Sequence, residues 1–145
     1  LLLSVYGTIK KTYGNHHHVS HCQFIGNATV HGYKLYDGGF PVASPCPNSS
    51  ISVEVYDIGD PDTEDSARKT LYGLDSLEGY RKDNPNSSMY NREVVTAVLE
   101  DGTEVSTNIY IGNELCWDFM GRNKSKQECP KDDNGKYTWS RHKGW

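Results

Sequence analysis

The chain has 145 residues, 35% of them hydrophobic, and a formal net charge of −4 at pH 7. That length sustains one buried core without metal or disulfide staples. Its lysines and arginines are spread along an acidic chain, without the positive footprint of a nucleic-acid or anionic-membrane binder. The 14 glycines and 10 tyrosines, with many Asn and Asp, point to a turn-rich, strand-rich protein rather than a helical bundle.

Leu1 to Tyr6 is a short apolar run that halts at Gly7. It reads as a buried central strand, too short to span a bilayer, opening into a loop of the kind where ligand sites collect. No small-residue cleavage site follows it, so it does not read as a signal peptide and the cytoplasm is the expected compartment. "QFIGNATVHGYKLYD" (23–37) carries alternating apolar positions broken by Gly26 and Gly32 and predicts one or two strands with tight turns. "GGFPVASPCPNSS" (38–50) reads as a loop on composition.

In "SISVEVYDIG" Ile51, Val53 and Val55 alternate with Ser52, Glu54 and Tyr56, the period-two pattern of a half-buried strand. From Asp62 to Leu77, residues Ala67, Leu71, Leu74 and Leu77 recur at three- and four-residue spacing. This predicts a helix capped near Asp62 or Thr63, weakened at Gly73 and ended by Gly79. "YNREVVTAVLEDGTEVSTNIYIG" (90–112) predicts a hairpin, with Val94-Thr96-Val98 and Val105-Thr107-Ile109 alternating on either side of an Asp101-Gly102 turn.

After Gly112 the chain turns polar, with scattered aromatics. The expected organisation is one domain over 1–113 and a C-terminal extension over 114–145, either packed through Trp117, Phe119, Tyr137 and Trp139 or partly mobile.

The four cysteines, Cys22, Cys46, Cys116 and Cys129, form no Cys-x-x-Cys pair and read as buried or incidental thiols. Glycosylation triplets at Asn27, Asn48, Asn86 and Asn123 are expected by chance in a chain this rich in Asn and Ser. His17 and His21 would share a face if their stretch were helical, with His16 or His18 and a carboxylate completing a metal site. The glycine-rich context favours a loop instead, so no metal is expected there, and His17 and His18 have no assigned role.

Taken in order, "VYGTIK", "NH", "GYKLYDGGFP", "EVY", "LDSLEGY", "YNR" and "DG" before "IYIG" resemble the gamma-glutamylcyclotransferase-like superfamily, which includes the avirulence-induced proteins and gamma-glutamylamine cyclotransferase. The resemblance covers about residues 4–112. It implies an α+β fold, a small mixed β-barrel with flanking helices and a cavity beside the end of the first strand. The implied reaction turns a gamma-glutamyl amide or amine into 5-oxoproline and releases the free amine, with no cofactor and a small-molecule substrate as the partner. Oligomeric state is left open.

By the same resemblance Glu78 matches the catalytic glutamate, and Tyr6, Gly7, Thr8 and Ile9 match the signature loop that holds the substrate. Ile9 replaces the usual leucine. Asn15 and His16 match a pair that shapes this loop. Gly39, Phe40 and Pro41 match a segment along the cavity wall, and Tyr90 and Tyr110 supply hydroxyls near substrate or simply pack the sheet. Arg92 is expected to be a strand surface charge, with Glu54 or a terminal carboxylate as its alternative partner. Val53 replaces a glycine ahead of "EVY", and "RKDNPNSSM" between Tyr80 and Tyr90 is an insertion; both bear on the cavity mouth. The rival reading keeps the same cavity for sequestering a small ligand without catalysis, a function with no need for an acid/base carboxylate at position 78.

Overall fold

The computed structural model describes residues 1–113, 116 and 127–139. Its strands are β1 (Leu2–Val5), β2 (Gln23–Asp37), β3 (Pro41–Asp57), β4 (Tyr90–Leu99), β5 (Glu104–Gly112) and β6 (Gln127–Glu128), with one α-helix, α1 (Asp65–Glu78), among the described residues. The order β3-β1-β5-β4-β2 closes on itself through the β2–β3 pair, and β6 adds beside β2. Five strands thus form a small barrel, and the sheet is mixed because β1 runs parallel to β5 and antiparallel to β3.

Segment 38–50 is a correction to the composition-based loop: most of it is strand, because Pro41 to Pro45 pair with β2 from Asp37 back to Tyr33. The prolines are tolerated there for a reason. β1 pairs only with Glu54 to Asp57 of β3, so the first half of β3 has β2 on one side and, among the described residues, a free edge on the other. A free edge is where a missing N–H costs no ladder bond. Between the pairs His31↔Ser50 and Tyr33↔Pro45, Gly32 alone faces residues 46–49, so β2 continues through Gly32 as one strand and the extra residues bulge from β3.

The β4–β5 hairpin pairs Tyr90 with Gly112 through Val98 with Glu104. The expected hairpin is present, and its inward face on β4 carries Val95 and Ala97. Val95 lies opposite Thr107 and Ala97 opposite Val105, and directly opposed residues share a face. Ala97 is therefore fully buried while Val94 is 69% exposed.

Helix α1 begins three residues later than the candidate cap at Asp62, because 60–64 is a turn: the Glu64 N–H donates to Asp60 O at 2.8 Å and Glu64 itself is the N-cap. Gly73 does not interrupt it. A Cβ there would sit 3.6 Å from His18 Nδ1, so the glycine lies where the helix packs on the 3-10 turn His16–His18. Ala67 and Leu74 are fully buried; Leu77 is partly exposed. Burying a leucine is worth roughly 1.5–3 kcal/mol, which ties the helix to the barrel.

The core has two compartments. Inside the barrel lie Val30, Leu35, Ile51, Val53, Val55 and Ile109; between barrel and helix lie Leu3, Val5, Ile9, Tyr56, Leu74, Tyr90 and Tyr110. Cys129, Tyr137 and Trp139 belong to the barrel interior, and Tyr137 straddles β3, its carbonyl accepting from the Ser52 N–H and its N–H donating to Ser50 O, both at 2.9 Å. Trp117, Phe119 and the Asn123 triplet lie outside the described residues. All four cysteines are free, and Cys116 and Cys129 are buried.

Candidate active site

A cavity of about 330 Å³ opens where β1 ends. Its floor is the loop that follows β1, with Tyr6, Gly7, Thr8, Ile9 and Asn15 on the wall. The start of β3 contributes Phe40 and Pro41; the end of α1 contributes Ser76 to Gly79; Tyr90 and Tyr110 complete it from β4 and β5. The volume falls in the range of small-molecule sites, about 300–1,000 Å³.

The loop after β1 is held by its carbonyls. Gly7 O accepts from the Lys10 N–H at 3.0 Å, Thr8 O from the Asn15 N–H at 2.9 Å, and Ile9 O from His16 Nδ1 at 2.9 Å. A carbonyl can only accept, so His16 carries its proton on Nδ1. Asn15 Nδ2 also donates to Thr8 Oγ1 at 2.9 Å, leaving the threonine O–H free to donate. The N–H groups of Gly7, Thr8 and Ile9 give no hydrogen bond among the described residues. Three successive donors without protein acceptors border one cavity, the arrangement that cradles an anion or a developing oxyanion.

Gly7 is there because no side chain fits: a Cβ would fall into the Pro41 ring. Pro41 thus seats the loop against β3, and its own carbonyl accepts from the Tyr90 hydroxyl at 2.8 Å. The Tyr6 hydroxyl donates to Tyr110 O at 2.6 Å and accepts from the Ala43 N–H at 3.3 Å. Gly39 and His16 are not on the cavity wall. Gly39 sits in the β2–β3 turn, its N–H donating to Asp37 Oδ1 at 2.9 Å.

Glu78 is the last residue of α1. Gly79 ends the helix in the left-handed region at φ 64, with its N–H on Ser76 O and the Tyr80 N–H on Asp75 O. The chain turns away at once, and the Glu78 carboxyl faces the cavity. Burial pushes this carboxyl up from the usual glutamate range to about 7. Its place at a helix C-terminus, where partial negative charge collects, acts in the same direction. No described side chain or backbone group donates to it. Burial above all, with the nearby Glu78 charge adding to it, holds the phenols of Tyr6, Tyr90 and Tyr110 well above their ordinary range. They stay neutral donors at any ordinary pH.

Two features escaped the sequence reading. Asp75, one turn before Glu78, accepts from the Tyr110 hydroxyl at 2.6 Å and pairs with Arg92 at 3.1 Å. Arg92 is thus an enclosed partner of α1 rather than a surface charge, its side chain only 15% exposed; Glu54 instead accepts from Tyr56 and Lys11. The i, i+3 spacing of Asp75 and Glu78 was the available signal. The second is Met89, the last residue of the 81–89 insertion, which lines the cavity beside Gly79. The loop behind it is tied down by Asn113 Nδ2, which donates to Pro85 O and Ser88 O.

The histidines outside the pattern remain apart from this cavity. His17 and His18 stack at 4.3 Å and His21 Nε2 lies 2.8 Å from Thr70 Oγ1. Among the described residues no group of three or more His, Cys, Asp or Glu is arranged to hold a metal ion, and no described helix is long and apolar enough to cross a membrane.

A closed α+β barrel with an acid-bearing cavity at the end of its first strand defines a class of small-molecule site. Comparison with known proteins gives the family. The model of the family described as gamma-glutamyl cyclotransferase, AIG2-like, matches residues 3–139. A Methanocaldococcus jannaschii protein, named provisionally as a gamma-glutamylcyclotransferase, is 30% identical over 115 residues, 77% of this chain and 84% of its own. Among solved structures, the Escherichia coli protein ytfP is 26% identical with a TM-score of 0.52, covering 79% of this chain and 84% of its own. An AIG2-like protein of Mus musculus shares the fold at 20% identity and a TM-score of 0.59, covering 97% and 95% of the two chains. The chain belongs to the gamma-glutamylcyclotransferase, AIG2-like family.

Proposed function

We propose that this protein cyclises a gamma-glutamyl amide or amine to 5-oxoproline and releases the free amine, with Glu78 as the acid/base. The observation that carries the reading is the enclosed Glu78 carboxyl, raised to about 7, in one cavity with the uncommitted N–H groups of residues 7–9. Family membership supports the reaction class, and the name of the archaeal relative agrees with it.

The reaction is intramolecular, so the protein supplies no covalent nucleophile. The cavity holds the gamma-glutamyl group folded, its α-nitrogen against its own γ-carbonyl carbon, which converts a poor encounter into a positioned one. Ionised Glu78 takes a proton from the α-ammonium. The freed amine attacks the γ-carbon, a new C–N bond closes the five-membered ring, and the carbonyl oxygen becomes an oxyanion facing backbone N–H donors of the loop. Collapse breaks the bond to the leaving nitrogen, that nitrogen takes the proton from Glu78, and the ring nitrogen gives its second proton through the same carboxylate to the departing amine, which leaves as its ammonium. The carboxylate returns ionised, and one group has served as base and then acid. A carboxyl near 7 suits both halves, because it is neither too weak a base nor too weak an acid at neutral pH.

The test is incubation with gamma-glutamyl amino acids, gamma-glutamyl-ε-lysine and other gamma-glutamyl amines, following 5-oxoproline, beside Glu78→Gln. Turnover that disappears in the variant supports the mechanism; turnover unchanged by it overturns the role of Glu78. Tight binding of these compounds without turnover would favour the sequestering function.

A further inference from the structure

A second cleft, of about 510 Å³, opens over β2, β3 and β4 beneath residues 132–138, and shares no lining residue with the Glu78 cavity. Its wall carries two ammonium groups, Lys10 and Lys136. Lys10 Nζ donates to Trp139 O at 2.8 Å and lies 5.5 Å from the Tyr13 ring; Lys136 Nζ donates to Thr29 Oγ1 at 2.5 Å. All of these partners are neutral, and no described carboxylate lies within ion-pair distance of either nitrogen. An ammonium has three donors, so both retain unused ones. Burial holds Lys10 below the ordinary lysine range, and the charge of Glu54 on the same wall offsets part of that effect.

The same wall carries carboxylates that are not consumed. Glu54 commits Oε1 to Tyr56 and the Lys11 N–H, leaving Oε2; Glu100 stands exposed with no described partner. Asp132, by contrast, is spent on Ser52 at 2.6 Å and on the N–H groups of Asn134 and Lys136 at 2.9 and 3.0 Å. Asn27 and Asn134 add side-chain amides. Positive and negative groups that form no direct ion pair among the described residues, set around one small polar cleft, match a ligand that carries both charges.

We propose that this cleft binds a free polar α-amino acid as its zwitterion, the carboxylate on Lys10 and Lys136 and the ammonium on Glu54 and Glu100. The inference does not rest on catalysis at Glu78. A carboxylate between two ammonium groups makes charge-assisted bonds, shorter and stronger than the neutral contacts it supplements.

The test is an NMR titration of ¹⁵N-labelled protein with L-glutamine and, separately, with 5-oxo-L-proline, which keeps the carboxylate but replaces the ammonium by a lactam amide. Saturable shifts at Lys10, Thr29 and Lys136 with L-glutamine are expected, with 5-oxo-L-proline bound at least about tenfold more weakly. The Lys10→Met/Lys136→Met double variant should lose the L-glutamine shifts. Glu100→Gln, an exposed change that leaves the fold intact, should weaken L-glutamine several-fold and leave 5-oxo-L-proline unaffected, and it decides the matter if the double variant fails to fold. Shifts confined to Gly7 and Gly79, equal affinity for both compounds, or L-glutamine binding unchanged by Glu100→Gln would overturn the proposal.

Discussion

The Tyr110 hydroxyl donates to Asp75 Oδ1 at 2.6 Å, joining the barrel strand β5 to the helix one turn before Glu78. Arg92 on β4 pairs with the same carboxylate, so two adjacent strands grip the last turn of α1. The position of the Glu78 carboxyl is therefore set by the sheet as well as by the helix.

Tyr110→Phe removes that bond and leaves Asp75 with Arg92 alone. A loss of about 1 kcal/mol in unfolding free energy is expected from the hydrogen bond. Urea denaturation measures it, and a change in kcat larger than the change in KM would show that the grip positions Glu78.

Glu78→Gln keeps the shape of the side chain and removes the proton shuttle. Turnover of a gamma-glutamyl amine should fall by about 10²–10⁴-fold, the usual worth of a general acid/base, while the substrate Kd changes little. Single-turnover assay beside calorimetry separates the two.

The same variant has a stability signature whose sign is fixed by the raised carboxyl. In the folded protein Glu78 titrates near 7, above its ordinary value of 4.5, so between those values the folded state holds a proton that the unfolded state has lost. Stability then declines as pH rises through this window, and the penalty is complete above about 7, on the order of 3 kcal/mol at most. Glu78→Gln should therefore raise the Tm at pH 8 and change it little at pH 4.

The pH dependence of kcat/KM should carry a rising limb near 7, because Glu78 must be ionised to accept the first proton. A limb near 4.5 would mean that the carboxyl is solvated in solution.

Gly7→Ala drives a methyl into the Pro41 ring and should cost about 1–3 kcal/mol with a displaced loop and a raised KM. Pro41→Ala in the same chain vacates the space and should restore part of both. Asn15→Ala, which frees Thr8 Oγ1, should raise KM several-fold with less effect on kcat.

Much of this protein was legible along the chain. The period-two alternation of Ile51, Val53 and Val55 put these side chains inside the barrel, because a strand's side-chain period is set by its backbone. The apolar spacing from Ala67 to Leu77 marked the helix, and Gly79 marked its end, since few residues other than glycine hold φ 64 without strain. The ordered motifs marked the family and pointed to Glu78, Tyr6 to Ile9, Phe40, Pro41, Tyr90 and Tyr110, which border the cavity, and to Gly39, which does not.

The rest depended on which segments meet. Segment 38–50 has the composition of a loop, and only its pairing with β2 makes it strand; the inward face of β4 follows from the register with β5, which its own alternation does not encode. Arg92 looked like a surface charge until α1 brought Asp75 to it. The Glu78 carboxyl illustrates the division. Its chemical identity and its place at a helix end are local facts, written in "LDSLEGY". Its acidity is not local, because burial is a property of everything that closes around a side chain, and here that is a loop, two strands and an insertion distant in sequence.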